Sequence, residues 1–203
     1  MGKRGANYGG EEAGARRARK AGYAARSAFK LADLDNKFRL FRPDDYILDL
    51  GAAPGSWSQY LIKKVGRKGL VVAVDKHTLE VTLPGAVVLQ ADVFALDDEV
   101  LAEAAGNRVP PFDSIVSDMA PRTTGVPFAD HVRSVELCDR ALELADRWLK
   151  PGGNFVCKVF QGEDEPDLRA RLKQRFGRVK AFKPPSTRKT SVEHFLVGMG
   201  RKG

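Results

Sequence analysis

Short apolar segments alternate with helical patterns along most of the chain. Runs rich in Val, Ile and Leu are separated by stretches whose apolar residues recur every three or four positions. This alternation is typical of repeated βαβ units, and strands that are apolar on both faces favour a parallel sheet covered by helices on both sides. We therefore predict one α/β domain. The predicted strands cover residues 46–50, 70–74, 86–89, 114–117, 154–160, 179–182 and 192–197, and the predicted helices cover 56–64, 97–105, 131–149 and 167–176.

The N-terminal part of the chain divides into two segments. Residues 1–22 are rich in Gly, Ala and Arg and have no apolar period, which predicts a flexible basic arm. Beyond it the apolar spacing becomes helical, as in Leu31 and Leu34, and residues 23–203 are predicted to form the single domain. The tetrapeptide Lys-Pro-Gly-Gly at 150–153 is predicted to end the longest helix and lead into the next strand.

Composition excludes several classes of protein. With two Cys and three His in 203 residues, neither a disulfide scaffold nor a zinc centre is expected. No apolar run approaches the ~20 residues that cross a bilayer, and the basic N-terminus lacks the apolar core of a secretory signal. We expect a cytoplasmic monomer with reduced thiols, without a metal and without membrane contact.

The net charge of +8 is concentrated at the two ends of the chain. Residues 1–30 contain eight Lys or Arg against two Glu, and residues 169–203 contain eleven against Glu193 alone. Because basic segments attract phosphates, we predict a two-sided clamp for a polyanion; basic tails that only aid solubility are the alternative. The candidate residues are Arg16, Arg17, Arg19, Lys20 and Arg26 on one side, and Lys180, Lys183, Arg188 and Lys189 on the other.

Acidic residues lie at the ends of four predicted strands. The first strand leads through Asp49-Leu-Gly-Ala-Ala-Pro-Gly-Ser-Trp57, a turn that is neither the dinucleotide motif G-x-G-x-x-G nor a phosphate-binding loop. Asp75 follows the second strand, where a carboxylate can accept both hydroxyls of a ribose. Asp92 and Asp118 follow the third and fourth strands. Since the carboxyl ends of parallel strands share one edge, the set favours a cationic nucleoside such as S-adenosylmethionine over Asp residues that only form caps and turns.

Three motifs resemble those of the FtsJ-type RNA 2′-O-methyltransferases. They are the turn around Gly55, Ser117-Asp-Met-Ala-Pro121 and Ser27-Ala-Phe-Lys-Leu31, and the similarity extends over about residues 23–198. The resemblance implies a Rossmann-like S-adenosylmethionine-dependent methyltransferase fold, with a seven-stranded, mostly parallel sheet and a final antiparallel strand. It further implies methylation of a uridine ribose in large-subunit ribosomal RNA.

Three other functions compete with this interpretation. Ribose methylation of tRNA by the same family uses the same motifs, so the sequence does not separate the two substrates. A ribosome-assembly factor that binds RNA without catalysis is a second alternative. A nicotinamide dehydrogenase is disfavoured because G-x-G-x-x-G is missing and the chain ends are basic.

The resemblance also assigns catalytic residues. The family performs the transfer with a Lys-Asp-Lys-Glu set, which matches Lys30, Asp118, Lys158 and Glu193. Lys158 interrupts an apolar strand, where burial of an amine is costly without partners or a function, and it is expected to take the proton of the ribose hydroxyl. The alternatives are an edge-strand Lys for Lys158, a solvated helical Lys for Lys30, and charge neutralisation for Glu193.

The cofactor turn departs from the family at one position. Similar enzymes usually carry a second Gly where this chain has Ser56, which we expect to cap the following helix. Tyr23 and Phe182 are candidates for stacking an RNA base. The expected cofactor contacts are Gly55 and Trp57 in the turn, Asp75 on the ribose, Asp92 on the adenine and Asp118 near the transferred methyl group.

Overall fold

A seven-stranded sheet forms the centre of the molecule. In this computed structural model, residues 8–106, 111–188 and 190–203 are described. Within them the strand order is β3-β2-β1-β4-β5-β7-β6; the first five strands of the chain are mutually parallel, and β7 is antiparallel to both of its neighbours. The strands are β1 Tyr46–Leu50, β2 Leu70–Asp75, β3 Ala86–Gln90, β4 Phe112–Ser117, β5 Leu149–Phe160, β6 Phe176–Phe182 and β7 Glu193–Arg201.

Helices cover both faces of this sheet, as the apolar strands predicted. Neighbouring residues of β1 show the two layers, because Ile47 packs into one buried cluster and Leu48 into the other. Leu31 and Leu34 belong to the cluster of Ile47, whereas Leu142 belongs to the cluster of Leu48. The helices are α1 Tyr8–Lys20, α2 Ser27–Phe38, α3 Ser56–Val65, α4 Asp98–Ala104, α5 Pro127–Trp148 and α6 Glu165–Arg175.

Residues 8–20, which the sequence assigns to a flexible basic arm, form the helix α1. Ala and Arg have high helix propensity, but they give no apolar period from which a helix could be predicted. Ala18 is fully buried, its carbonyl accepts a hydrogen bond from the Tyr23 amide at 2.9 Å, and Arg17 lies 4.7 Å from the centre of the Phe29 ring. Helix α1 is therefore held against α2.

The expected turn at 150–153 is wrong, because these residues lie inside β5. The pairing of β4 with β5 shifts register between Phe112 and Ser114, so that an irregularity absorbs the Pro-Gly-Gly sequence. A Cβ at Gly153 would lie 2.9 Å from the Asp113 carbonyl oxygen, which requires Gly there. Helix α5 ends at Trp148 as expected but begins at Pro127, a residue type favoured in the first turn.

The buried carboxylate of Asp35 accepts hydrogen bonds from the residues that follow the C-terminal end of α2. Oδ1 of Asp35 accepts hydrogen bonds from the amides of Leu40 and Phe41 at 3.1 and 3.3 Å. Oδ2 accepts from the Tyr60 hydroxyl at 2.7 Å and pairs with Nζ of Lys64 at 2.7 Å. Burial, the hydrogen bond to Asp35 and its charge raise the pKa of Tyr60. Asp35 thus joins α2, the chain leading to β1, and α3.

Candidate active site

A cavity of about 730 Å³ lies at the carboxyl ends of the parallel strands. Three of the predicted cofactor residues, Asp75, Asp92 and Asp118, line it together. Gly51 allows the loops to approach closely, since its φ is +78° and a Cβ there would lie 2.5 Å from the Met119 side chain. The strand-end rule therefore places these residues correctly.

The carboxylates of Asp75 and Asp92 also organise their own loops. Asp75 accepts hydrogen bonds from the Ala53 amide at 2.9 Å and the His77 amide at 2.7 Å, so it connects the turn after β1 to β2. Asp92 accepts from the Phe94 amide at 3.0 Å and caps a short 3-10 helix. The capping role and the ligand role are compatible, because a carboxylate oxygen accepts more than one hydrogen bond.

Gly55 and Trp57 are not among the described residues that line this cavity. Gly55 has a φ of +113°, and a Cβ there would lie 2.5 Å from the Val81 side chain. The Trp57 side chain is buried and packs against Phe195, with ring centres 5.7 Å apart, while its Nε1 donates to the Ser27 carbonyl at 2.9 Å. The indole is thus part of the core, and a cofactor contact at either residue remains a prediction for the main chain only.

The expected capping role of Ser56 is wrong. Gly55 occupies the cap position of α3, and no side chain caps this helix. The Ser56 hydroxyl is buried and instead forms a hydrogen bond of 2.7 Å with the hydroxyl of Ser27 at the start of α2. Nothing in the sequence could locate this partner, because the two residues are 29 positions apart and belong to different helices.

Lys158 and Asp118 form the first half of the predicted catalytic set. Nζ of Lys158 donates to the main-chain oxygen of Asp118 at 2.6 Å and lies 3.0 Å from its Oδ1, which is an ion pair without hydrogen-bond geometry. The Lys158 side chain is only 7% exposed. Because β5 lies between β4 and β7, the edge-strand interpretation of Lys158 does not hold.

Lys30 and Glu193 form the second half. Nζ of Lys30 pairs with Oε1 of Glu193, and their side chains are 12% and 16% exposed, so neither is an ordinary solvated residue. Glu193 lies opposite Phe160 on β5, and Lys158 lies two residues before Phe160. Side chains two apart on a strand share a face, and such diagonal neighbours are about 7–8 Å apart. The structure therefore brings all four predicted residues to one place.

A fifth acidic group, Asp49, lies beneath this site. Its side chain is fully buried at the end of β1; Oδ2 accepts from the Ser58 hydroxyl at 2.6 Å, whereas Oδ1 has no hydrogen-bond partner. The pKa of Asp49 is raised to about 7, mainly by burial; the hydrogen bonds from Ser58 act in the opposite direction, and the charges of Asp118 and Asp75 add to the increase. The cavity itself is lined by the carboxylates of Asp75, Asp92 and Asp118, which favour a cationic ligand. Sequence reasoning assigned no role to Asp49, although it opens the turn motif.

We expect Asp49→Asn to reduce the pH dependence of stability. The pKa of Asp49 is about 7 in the folded chain, against an ordinary value of 3.8. Between these two pH values the carboxyl group keeps its proton in the folded state and loses it in the unfolded state. The wild type therefore loses stability as the pH rises from about 4 to 7, by a few kcal/mol from this group. Urea unfolding at several pH values measures the difference between variant and wild type. A difference that stays constant over this range would contradict the assignment.

In the part of the chain that the structure describes, none of the helices is long and apolar enough to cross a membrane. Within the same residues, no group of three or more His, Cys, Asp or Glu side chains is arranged to hold a metal ion.

Comparisons with known proteins agree with this geometry. A model of the FtsJ-like methyltransferase family matches residues 23–201. A Bdellovibrio bacteriovorus protein named ribosomal RNA large subunit methyltransferase E is 50% identical over 187 residues, which are 92% of this chain and 95% of that protein. A Nitratidesulfovibrio vulgaris protein of the same name is 46% identical over 188 residues, covering 92% of this chain and 91% of that one.

A solved structure extends the comparison to three dimensions. A Plasmodium falciparum protein described as a ribosomal RNA methyltransferase superposes with a TM-score of 0.76 at 27% identity, covering 89% of this chain and all of that one. The Rossmann-like methyltransferase fold implied by the sequence motifs is thereby confirmed. The family match over residues 23–201 and the similarity to these relatives agree with the sheet and with the residues that line the cavity, and they show that the chain belongs to the FtsJ-like methyltransferase family.

Proposed function

We propose that the protein transfers a methyl group from S-adenosylmethionine to the 2′-hydroxyl of a uridine ribose in large-subunit ribosomal RNA. The observation that carries this proposal is the cluster of two Lys–carboxylate pairs beside a cavity lined by acidic residues. The names of the two bacterial relatives support ribosomal RNA as the substrate. A ribosomal substrate also favours a cytoplasmic location for the protein.

The cavity fits the proposed cofactor in size and in charge. A volume of about 730 Å³ is within the range of small-molecule sites. Asp75 would hold the ribose hydroxyls and Asp92 the adenine, while Asp118 supplies negative charge where a cationic ligand needs it. When bound, S-adenosylmethionine supplies a methyl group activated by a sulfonium. Asp118 both lines the cavity and contacts Lys158, so the cofactor site and the catalytic cluster are contiguous.

The catalytic cluster has to align the ribose hydroxyl and remove its proton. Lys158 is the proposed base, and the two Asp118 oxygens hold its Nζ in a fixed position. Glu193, itself held by Lys30, offers carboxylate oxygens that can accept from the hydroxyl and orient it. The burial of all four side chains excludes most water, which strengthens these interactions.

Both basic ends of the chain are attached to α2, the helix that carries Lys30. Arg17 of α1 lies 4.7 Å from the centre of the Phe29 ring on α2, and the Ser186 amide in the loop after β6 donates to Oδ2 of Asp33 at 3.0 Å. Two arms of a phosphate clamp thus flank the catalytic helix. The exposed residues of the two predicted arms are Arg16, Arg17, Arg19, Lys20, Lys180, Lys183 and Arg188, and we call them the basic clamp; Arg26 is half-buried. Lys189, also predicted to contribute, lies outside the described residues.

The two predicted stacking residues are engaged with the protein. Nζ of Lys63 lies 4.1 Å from the centre of the Tyr23 ring, which also forms a T-shaped pair with the Phe29 ring. Phe182 packs edge-to-face against Phe38, with ring centres 5.4 Å apart. Because both rings already make contacts within the protein, the proposal for RNA binding depends on the basic clamp and not on stacking.

Mass spectrometry of RNA after incubation with labelled S-adenosylmethionine tests the proposed function. We expect a 2′-O-methyl uridine in large-subunit ribosomal RNA, supplied as free RNA or as ribosomal subunits, and none in tRNA. Methylation of tRNA alone would support the family's other substrate. Binding of ribosomal RNA without any methyl transfer would favour a non-catalytic assembly factor.

Replacing Asp75 by Ala is expected to weaken binding of S-adenosylmethionine by about 1–3 kcal/mol, because the ribose hydroxyls lose their acceptor. Asp75→Ala also leaves the Ala53 amide without its hydrogen-bond acceptor. Asp75→Asn removes the charge but keeps one oxygen that can accept from the ribose hydroxyls or from the Ala53 amide. The Asn variant should therefore bind with intermediate affinity. Titration calorimetry measures both constants, and wild-type affinity in Asp75→Ala would remove this residue from the site.

Neutralising the basic clamp is expected to make RNA affinity less dependent on salt. Each phosphate contact contributes about −0.9 (duplex) or −0.7 (single strand) to the slope of log affinity against log salt, so Lys183→Gln with Arg188→Gln should flatten it by roughly one to two units. The matched control is the double variant Lys173→Gln with Lys202→Gln, which removes the same number of charges outside the basic clamp. These two residues are neighbours, because Nζ of Lys202 donates to the main-chain oxygen of Lys173. Equal slopes in the two double variants would refute the C-terminal arm of the clamp.

A further inference from the structure

The N-terminal end of α2 is tied to the beginning of α3 by side chains of the residues after Gly55. Nε1 of Trp57 donates to the Ser27 carbonyl at 2.9 Å, and Oε1 of Gln59 accepts from the Ala24 amide at 2.7 Å. Both hydrogen bonds fix the segment that leads into α2. The side chains of Trp57 and Gln59 that form them belong to the first turn of α3, the helix that follows the cofactor turn.

The third link is the pair of hydroxyls of Ser27 and Ser56, whose oxygens are 2.7 Å apart. Neither hydroxyl caps its own helix, because α2 has Arg26 and α3 has Gly55 at the cap position, without a side-chain cap in either case. Ser56 is 1% exposed, so water does not replace this partner. The hydroxyl pair is therefore a contact between two helices and not a local capping feature.

The hydroxyl pair connects two parts of the site. On one side, Lys30 follows Ser27 by three residues, which is less than one helical turn, so a shift of the first turn moves Lys30 and its pair with Glu193. On the other side, Ser56 directly follows the turn that contributes Gly51 and Ala53 to the cavity wall. The distance between the cavity and Lys30 thus depends on this contact.

We propose that Ser56 is a positioning residue for methyl transfer, acting through Ser27 on Lys30. It keeps the catalytic end of α2 at a fixed distance from the cofactor turn, so that the Lys30–Glu193 pair meets the ribose hydroxyl in line with the methyl donor. The inference rests on the proposed function. Because misplacement by about 1 Å can cost two orders of magnitude in rate, loss of one such link is expected to slow transfer about tenfold.

Two single variants and their combination test the hydroxyl pair. Ser56→Ala and Ser27→Ala each remove one hydroxyl and keep the Cβ. At saturating RNA and S-adenosylmethionine, each should lower the single-turnover rate about tenfold, and the double variant should lose no more, because both remove the same contact. Cofactor affinity, measured by calorimetry, should stay at the wild-type value. Ser114→Ala is the control, since this buried hydroxyl contacts the Leu40 carbonyl just beyond the other end of α2 and should leave the rate unchanged.

Amide hydrogen exchange gives a second measurement that needs no catalysis. Amides in the first turn of α2 should exchange faster in Ser56→Ala and in Ser27→Ala than in the wild type or the control. A Ser56→Ala enzyme with wild-type rate, additive losses in the double variant, or weakened cofactor binding would each overturn the positioning role while the proposed function stands. A wild type that transfers no methyl group to any RNA would instead overturn the proposed function, and the positioning role with it.

Discussion

Asp35→Ala is expected to lower the free energy of unfolding by about 2–4 kcal/mol, because several buried donors lose their acceptor, whereas the ion pair with Lys64, which is 42% exposed, contributes little. The change leaves the amides of Leu40 and Phe41 without their acceptor and removes the partner of Lys64 and of the Tyr60 hydroxyl. Each buried group without a partner adds a desolvation cost. Urea unfolding followed by circular dichroism measures the loss as a lower midpoint with an unchanged slope.

Two further variants separate this network from an ordinary helix cap. Asp97→Ala removes a carboxylate that caps α4 by accepting from the Val100 amide, and it should cost about 1 kcal/mol. Tyr60→Phe removes one donor and leaves Asp35 its other partners, so its cost should be well below that of Asp35→Ala. In the double variant of Asp35 and Tyr60 the losses should not add. A loss in Asp35→Ala no larger than that in Asp97→Ala would show that the network contributes little.

The sheet could be predicted from the sequence because its signal is local. The strands β1, β2 and β4 are short, mostly apolar runs, and burial on both faces needs such runs wherever the partner strands lie. The start of β5 was missed because Pro-Gly-Gly normally ends an element, and only its register shift against β4 accommodates this sequence. Helix α1 was missed because one buried Ala, Ala18, gives no periodic signal.

The candidate site shows the same division between local and long-range information. Asp75, Asp92 and Asp118 follow strands, so topology alone predicts that they meet at one edge. The pairing of Lys30 with Glu193 also agrees with the roles that the family resemblance assigned. The orphaned oxygen of Asp49 could not be predicted, because it depends on how tightly the neighbouring loops pack around it.

Lys158→Met is expected to reduce methyl transfer by about 10²-fold or more, the usual scale for loss of a general base. Met keeps most of the aliphatic stem in a site where the side chain is 7% exposed, so folding and cofactor binding should persist. Lys158→Arg should fail as well, because a guanidinium does not release its proton in a protein. Single-turnover assays measure the rate, while calorimetry and thermal unfolding measure cofactor affinity and stability.

The same strand carries a matched control for this test. Nζ of Lys150 pairs with Oδ1 of Asp113 at 2.8 Å, as Lys158 pairs with Asp118, but Lys150 lies at the beginning of β5 and Lys158 near its end at the cavity. Lys150→Met and Lys150→Arg should change stability slightly and leave the transfer rate as it is. If Lys158 only balanced the charge of Asp118, Lys158→Arg would be tolerated as well as Lys150→Arg. A folded Lys158→Arg enzyme with near-normal turnover would therefore end the general-base assignment and leave Lys158 as a fixed positive charge beside Asp118.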